Sequence, residues 1–516
     1  MTLKVILAGY NIDSEVIEEL KKTHPERSDI TPETLSAAYA RISRDPRPVY
    51  ELRAAAREEV DKARRSNQTI IFKMGHHSVA EHAVFNFDIL GISRLAIEEV
   101  EHFRLASFTE KSQRYITLED DFVIPAEIKA SGREKIFVET VRAQNALYHT
   151  LYVSLKPFIF ETHADLAADR KNHSVLDGWA KEDARYIVSL ATGGQLGMTC
   201  NARSLEYMIR RFSGSCTAEI TELNQKLHDL AKAVAPSILL FTEPNPFDVK
   251  TYSDLMAAAP AFGPADDSEA ETDVRLVDFT PGADEKVLSA LLHSVSDRSF
   301  DDCLEAVRAL SGEKKKNLIK KAFRRMEFFD SVPREFEHAR LTYDLVISAS
   351  CFAQLKRHRM ATITAQAYDP SLGVTVPPSI RAVGLEGVFM EMIERTNRVY
   401  YDLEKHAGRA AAYLLTNSHR KRVLLEVNAR ELYHISRLRE DPTAQWDIRK
   451  ITRSMTGAAK KAMPLVCLLI GGKNDFSQIY ENVFGTKPTL FPPPDIRPLT
   501  FPLSEGEIPE DISDTK

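Results

Sequence analysis

The residues best equipped for chemistry in this sequence lie between Ser93 and Tyr115, SRLAIEEVEHFRLASFTEKSQRY. Leu95, Ile97, Val100, Phe103 and Leu105 give the first half a mixed apolar face and a helical reading. In the second half Ser107, Thr109, Glu110, Ser112, Arg114 and Tyr115 crowd into nine residues. Short hydroxyl side chains compete with a helix backbone for hydrogen bonds, so this run reads as a loop whose side chains point at something. A guanidinium beside hydroxyls suits an anionic, oxygen-rich ligand such as a phosphate. A solvated helix-to-loop junction accounts for the same residues, and the run alone leaves both readings open.

A second copy tips the balance. Residues 348–370, SASCFAQLKRHRMATITAQAYDP, have the same layout, and each stretch follows a Glu-His pair at nearly the same distance, twelve residues in the first copy and eleven in the second: EHAVFNFD at 81–88 and EHARLTYD at 337–344. The chain therefore contains an internal repeat. Ahead of the first pair comes Gly75-His76-His77-Ser78-Val79-Ala80-Glu81-His82. Its histidines and Glu raise zinc, but no pair has the i,i+4 spacing of an HExxH helix. A packed polar turn and a ligand-facing loop remain, and no metal is expected.

The elements that must position these residues follow from periodicity and punctuation. Residues 3–10 read as a strand ending near Gly9, and Thr31-Pro32-Glu33 as a helix start, with a break at Asp45-Pro46-Arg47-Pro48. Residues 83–90 alternate, with Phe85, Phe87 and Ile89 on one side, as in a half-buried strand. Helical patterns cover 124–170, 182–190 and one long stretch from Asn201 to Ala233; in the second copy they cover 384–416 and a long stretch from Val423. Between Glu243 and Pro281 the composition shifts to Pro, Ala, Gly and acids, as in a linker. The expected organisation is a first domain at 1–245, a linker at 246–282, a second domain at 283–490 and an extended tail at 491–516.

Composition narrows the function. A chain of 516 residues suits two domains, and 43% hydrophobic with 28% charged residues is ordinary for a globular protein. The net charge of −6 gives no footprint for nucleic acid. The five cysteines form no CxxC pair, which points to reduced thiols in a cytoplasm. The most apolar late segment, Met463 to Ile470, is too short to span a bilayer, and MTLKVILAGYNID lacks signal-peptide architecture.

Together these residues resemble the flavin-dependent thymidylate synthase (ThyX) family, whose signature has the form RHRxxSxNExSxRY with a Gln three residues upstream. The first copy keeps His76 and Ser78 of an upstream turn, then Arg104, Ser107, Glu110, Ser112, Arg114 and Tyr115. Glu99, His102 and Phe103 stand where the family has Gln, Arg and His. Ala184-Arg185 matches a family A-R pair, Asn201 the late Asn, and Arg211 the late Arg by its distance to Glu219. The second copy keeps Gln354, Arg357, His358 and Arg359, then loses the rest, with Asp369 where the family has Arg and Ala411-Ala412 for the A-R pair. Its late helix is the better match, with Asn428, Arg430, His434, Arg439 and Ala444 to Arg449.

The resemblance implies an α+β chain of two tandem ThyX-like domains, each a small antiparallel sheet with long helices. It implies reductive methylation of dUMP to dTMP, with FAD as cofactor and methylenetetrahydrofolate and NADPH as co-substrates. In that family one subunit supplies the Gln, first signature Arg and late Arg, and its neighbour supplies the Glu-x-Ser-x-Arg segment and the A-R arginine. The losses here are complementary under that rule. Gln354, Arg357 and Arg439 of one copy complete Glu110, Ser112, Arg114 and Arg185 of the other, for one site per chain. Arg439 and Ser112 are the residues expected nearest the chemistry. Arg439 would serve the uracil edge, and Ser112 with Arg114 the phosphate. His76, Ser78, Glu110, Arg357, His358, Arg359, Asn201, Asn428, Arg430 and His434 are the expected flavin contacts. A fused chain would make half of the family's tetramer, so a homodimer is expected. The alternatives are a flavoenzyme for another pyrimidine nucleotide and a non-catalytic nucleotide-binding paralogue.

Overall fold

In a computed structural model the chain folds as two compact units. One gathers Met1–Asp266 with Leu385–Thr416, the other Asp267–Gly384 with Asn417–Lys516. The structure describes residues 2–25, 27, 30–41, 47, 49–73, 76–113, 118, 120–215, 217–259 and 272–488. Arg114, Tyr115, most of the 45–48 break, the middle of the expected linker and the whole 491–516 tail lie outside them.

The first unit is built on an antiparallel sheet of β1 (Lys4–Tyr10), β2 (Ile12–Asp13), β3 (Val84–Ser93), β4 (Ala106–Glu110) and β5 (Gly193–Asn201), in the order β2-β1-β3-β5-β4. On β3, Phe85, Phe87 and Ile89 are buried while Asp88 is exposed, as the alternation demands. Gly91, at φ +71°, marks a register shift between Leu90 and Ile92, and a Cβ there would stand 2.5 Å from the Thr2 carbonyl oxygen. Helices cover the sheet through a core that includes Ile97, Met198, Leu205, Met208 and Leu223.

The helix Glu134–Thr162 and the later helix Glu386–Ala407 belong to this same unit. Gln144 Nε2 donates to Thr396 Oγ1 (2.9 Å) and to the Leu414 carbonyl (3.1 Å), and Arg133 pairs with Asp402 at 2.9 Å. The segments after the two helices pair as well, with Leu190 N donating to Leu415 O and Ala191 N to Tyr413 O. Motif order places 384–416 in the second copy; its packing places it with the first.

The second unit repeats the sheet. β6 (Val274–Phe279), β7 (Arg340–Ser348), β8 (Thr362–Ala365) and β9 (Arg420–Asn428) lie in the order β6-β7-β9-β8, all antiparallel. The central pairs correspond: Val84 opposes Asn201 in one sheet, and Arg340 opposes Asn428 in the other.

Several local expectations change. The hydroxyl run is not wholly loop, because 106–110 form edge strand β4 with Ala106 buried and Ser107 and Thr109 exposed. The stretch 201–233 is two helices, Ala202–Phe212 and Ala218–Val234, interrupted around Ser213-Gly214-Ser215. The second late stretch begins as strand β9, with Val423, Leu425 and Val427 buried at period two, before the helices Ala429–Arg439 and Trp446–Ala462. Part of the expected linker is a helix, Pro246–Ala258, started by an Asn245–Asp248 capping box. No helix among the described residues is long and apolar enough to cross a membrane.

Candidate functional site

Three devices recur in both units around a short helix, Arg94–Val100 or Ala349–Leu355, and a late helix, Ala202–Phe212 or Ala429–Arg439. The first is a capping serine that holds a buried carboxylate. Ser348 accepts from Cys351 N (3.0 Å) and donates to Asp447 (2.6 Å). Ser93 accepts from Ala96 N (3.0 Å) and donates to Glu219 (2.7 Å), which also accepts from Ser93 N and from the Tyr413 hydroxyl, each at 2.7 Å. Burial pushes the Glu219 carboxyl up, against the pull of these hydrogen bonds. The second is the late Asn, whose side chain caps its helix: Asn201 accepts from Ser204 N (2.9 Å) and Asn428 from Glu431 N (2.8 Å). The third is the Glu of each Glu-His pair, which clamps the Arg two residues after that Asn. Glu81 pairs with Arg203 at 2.6 Å, and Glu337 with Arg430 at 3.2 Å.

On this shared frame the second unit places polar chemistry. His358, ten residues after its capping serine, is only 3% exposed. Its Nε2 accepts from Arg439 Nε at 2.9 Å, and Arg439 Nη2 also donates to the Gln354 carbonyl at 3.1 Å. Burial, Arg439 and His434 hold the His358 imidazole well below its ordinary pKa, so it is neutral. Glu431 lies 3.6 Å from His358 Nδ1, and the rings of His358 and His434 meet edge-on at 5.7 Å. Gln354 donates to Gln445 at 2.7 Å, and its 6%-exposed side chain keeps an Oε1 with no hydrogen-bond partner among the described residues. A buried orphan acceptor is costly unless a ligand N–H satisfies it. Arg357 and Arg359 are exposed cations beside this wall, and with Gln354 they fit an anionic nucleotide or dinucleotide.

His358, Glu431 and His434 bring their ligand atoms within 4.8 Å of one another. The donor set does not suit a cation. With Nε2 accepting from Arg439, the imidazole proton sits on Nδ1, the atom that would have to ligate.

The first unit carries apolar rings in the matching places. Phe103 stands ten residues after Ser93, as His358 does after Ser348. Three, six and eleven residues after the capping Asn come Ser204, Tyr207 and Phe212, where the second copy has Glu431, His434 and Arg439. Phe103 packs edge-on against Tyr207 (5.8 Å) and Phe212 (5.3 Å). Phe212 therefore takes the place of the late Arg, which the spacing to Glu219 had assigned to Arg211. Arg210 and Arg211 turn instead to the buried carboxylate of Asp248, at 3.2 and 3.7 Å.

The other expected site residues distribute as follows. His76 and Ser78 are exposed at a short turn before β3, whose His82 packs edge-on against Tyr39 at 4.5 Å. Glu110 ends β4 and Ser112 follows it, both half-buried; Arg114 is outside the described residues. Arg185 is buried in a turn, with Nε donating to the Glu182 carbonyl at 3.3 Å. Glu99 and Asp369 are exposed, the latter capping the turn Pro370–Leu372. Asn201, Asn428 and Arg430, expected at the flavin, are engaged in the caps and clamp just described. Glu431 was missed; its signal was the Glu-x-x-His spacing that puts it on one helix face with His434.

Comparison with known proteins agrees with the repeat. The chain is 24% identical over 483 residues to a UPF0159 protein of Thermoplasma acidophilum, covering 84% of this chain and 94% of that one. It is 23% identical over 425 residues to a UPF0159 protein of Chlamydia muridarum, covering 77% and 78%. A flavin-dependent thymidylate synthase of Clostridium tetani is 29% identical over 221 residues, covering 42% of this chain and 83% of that protein. The model of the family described as thymidylate synthase complementing protein (Thy1) matches twice, at residues 28–237 and 275–465. With that match spanning most of the chain and one sheet-and-helix frame built twice, this protein belongs to the Thy1, or ThyX, family and carries its α+β fold in tandem.

Proposed function

We propose that the chain is a flavin-dependent thymidylate synthase-like enzyme that methylates dUMP reductively to dTMP at one site per chain. The observation that carries this reading is the contrast between the two late helices. One presents Arg439 held by His358 and Gln354, while the other presents Phe212 packed on Phe103. Gln354, Arg357 and Arg439 serve this site from the second copy, and Glu110, Ser112, Arg114 and Arg185 from the first.

Each residue then has a physical task. Arg114 and Ser112 hold the nucleotide phosphate, each charge-assisted bond contributing about 1.5–3 kcal/mol. Arg439 offers a fixed cation to the pyrimidine edge and favours its N3-deprotonated, enolate-like form. The partnerless Gln354 Oε1 accepts a ligand N–H. Ser112 orients rather than attacks, because no His stands beside it in the signature to act as base. FAD, when bound, supplies the electron transfer that completes the methyl group, with methylenetetrahydrofolate as carbon donor and NADPH as reductant. The exposed Arg357 and Arg359 match its pyrophosphate in charge.

The test is reconstitution of the purified chain with FAD, followed by dUMP titration and a dTMP assay. A flavin band near ~450 nm, a property of the cofactor itself, with one dUMP bound per chain and dTMP formed, is the expected result. Two equivalent dUMP sites per chain overturn the one-site reading. A chain that takes up no flavin overturns the enzyme reading.

A further inference from the structure

Glu431 has no part in the scheme above, yet its carboxylate is buried, 8% exposed, on the face of the late helix that His358 meets. The contacts form a line. Arg439 Nε donates to His358 Nε2 at 2.9 Å, and His358 Nδ1 faces Glu431 Oε1 at 3.6 Å. A neutral imidazole has one accepting nitrogen and one N–H, and the bond made at the first decides the second. Nδ1 therefore carries the proton, and it points at a carboxylate.

A divalent cation is the rival occupant of this corner, since His434 brings a third ligand atom within 4.8 Å of the other two. Ligation at Nδ1 would send the imidazole proton to Nε2, facing Arg439 N–H with two donors 2.9 Å apart. The protonated Nδ1 facing Glu431 keeps the Arg439–His358 bond intact, whereas a metal at Nδ1 breaks it.

We propose that Glu431 is a positioning residue that acts through His358 to hold Arg439 in the orientation that meets the nucleotide. The proposal rests on the reading of Arg439 as the nucleotide's arginine. The first unit supports it independently. The three corresponding positions are Ser204, Phe103 and Phe212, so no member of the line occurs there without the others. A carboxylate fixing the imidazole tautomer sets which nitrogen faces the guanidinium, and the Gln354 carbonyl supplies the second hold on that group.

The experiment uses the full chain with its histidines labelled by 15N in the ring, His358→Gln assigning the signal. Expected in the unsubstituted protein is a protonated Nδ1 and an unprotonated Nε2 at His358. Glu431→Gln, which keeps an acceptor, should retain that pattern and bind dUMP within about threefold of the parent, whereas Glu431→Leu should lose the pattern and bind about tenfold more weakly, a difference of about 1.4 kcal/mol. Thermal melts of both variants report whether each is folded. Unchanged His358 signals in a folded Glu431→Leu chain overturn the proposal. So does Zn2+ binding that shifts the His358 and His434 signals together and is abolished by Glu431→Gln. The ring signals need no nucleotide. If dUMP fails to bind the unsubstituted chain, the functional reading falls, while the nitrogen shifts still decide whether Glu431 sets the tautomer.

Discussion

The two late helices are the instructive comparison in this molecule. Both begin on a capping Asn, both are clamped by a Glu from the preceding Glu-His pair, and both follow a strand that ends in the centre of the sheet. On one, His358, Glu431, His434 and Arg439 make a polar wall; on the other, Phe103, Tyr207 and Phe212 make an aromatic one. The frame and the chemistry are thus separable. Caps and clamps keep the backbone in place, and the side chains facing the wall can change from hydrogen-bonding to packing without altering it. The first unit's spare arginines, Arg210 and Arg211, are balanced internally by Asp248.

Exchanging the two roles is the sharpest way to break the comparison. Phe212→Ala should cost the first unit about 3–5 kcal/mol, the usual range for a buried Phe truncated in a core. It should leave dUMP affinity unchanged; urea unfolding followed by calorimetry checks both. A loss of nucleotide binding in a Phe212→Ala chain that remains folded would mean the aromatic wall belongs to a site after all.

Arg439→Ala should do the opposite. Unfolding should shift less than for Phe212→Ala, by about 1–3 kcal/mol, the cost of leaving the buried His358 Nε2 without its donor, and dUMP affinity should fall by about 1.5–3 kcal/mol, the worth of a charged hydrogen-bonding group. Arg211→Ala, beside the same late-helix end of the first unit, should change dUMP affinity less than twofold, a difference near the ~0.5 kcal/mol typical of uninvolved positions. Equal losses for Arg439→Ala and Arg211→Ala would erase the distinction between the two walls.

The shared frame makes a third prediction. Ser93→Ala and Ser348→Ala should destabilise by similar amounts, about 1–2 kcal/mol each, because each removes a helix cap and a donor to a buried carboxylate. Guanidinium melts that separate them widely would show that the frame is not equivalent in the two copies.

The smallest expected effect is one of acidity in the first unit. Burial pushes Asp177 up, but hydrogen bonds from Lys156, Lys181 and Tyr152 outweigh it and hold the carboxyl at about 2. A depressed carboxylate stabilises the fold above its unfolded value, so this contribution is present above 3.8 and lost as pH falls through about 2. Asp177→Asn should flatten the acid limb of the stability profile over that window and leave neutral nucleotide binding unchanged.

Much of the molecule was legible along the chain because its signals are local. The Phe85-Phe87-Ile89 alternation, the serine that opens each signature and the repeat of the Glu-His pair need only neighbouring residues to be read. The central strands β5 and β9 were not legible. Gly193–Asn201 fell between the helical patterns and was left unassigned, its opening Gly-Gly-Gln hiding the Leu196-Met198-Cys200 alternation, and Arg420–Asn428 runs into a helix without a break residue, so most of it was absorbed into the pattern from Val423. Their state is set by hydrogen bonds to β3 and β7, far away in sequence.

The sequence by itself determined the repeat, the family signature and the complementary survival of its polar residues in the two copies, since residue identity and spacing carry all three. Tertiary structure alone decided that Phe212 rather than Arg211 faces Phe103, because a one-residue step on a helix turns a side chain by roughly 100° and only packing selects the face. It also decided that Glu386–Ala407 packs with Glu134–Thr162, because Gln144 finds its partners Thr396 and Leu414 some 250 residues on, beyond the reach of any local pattern.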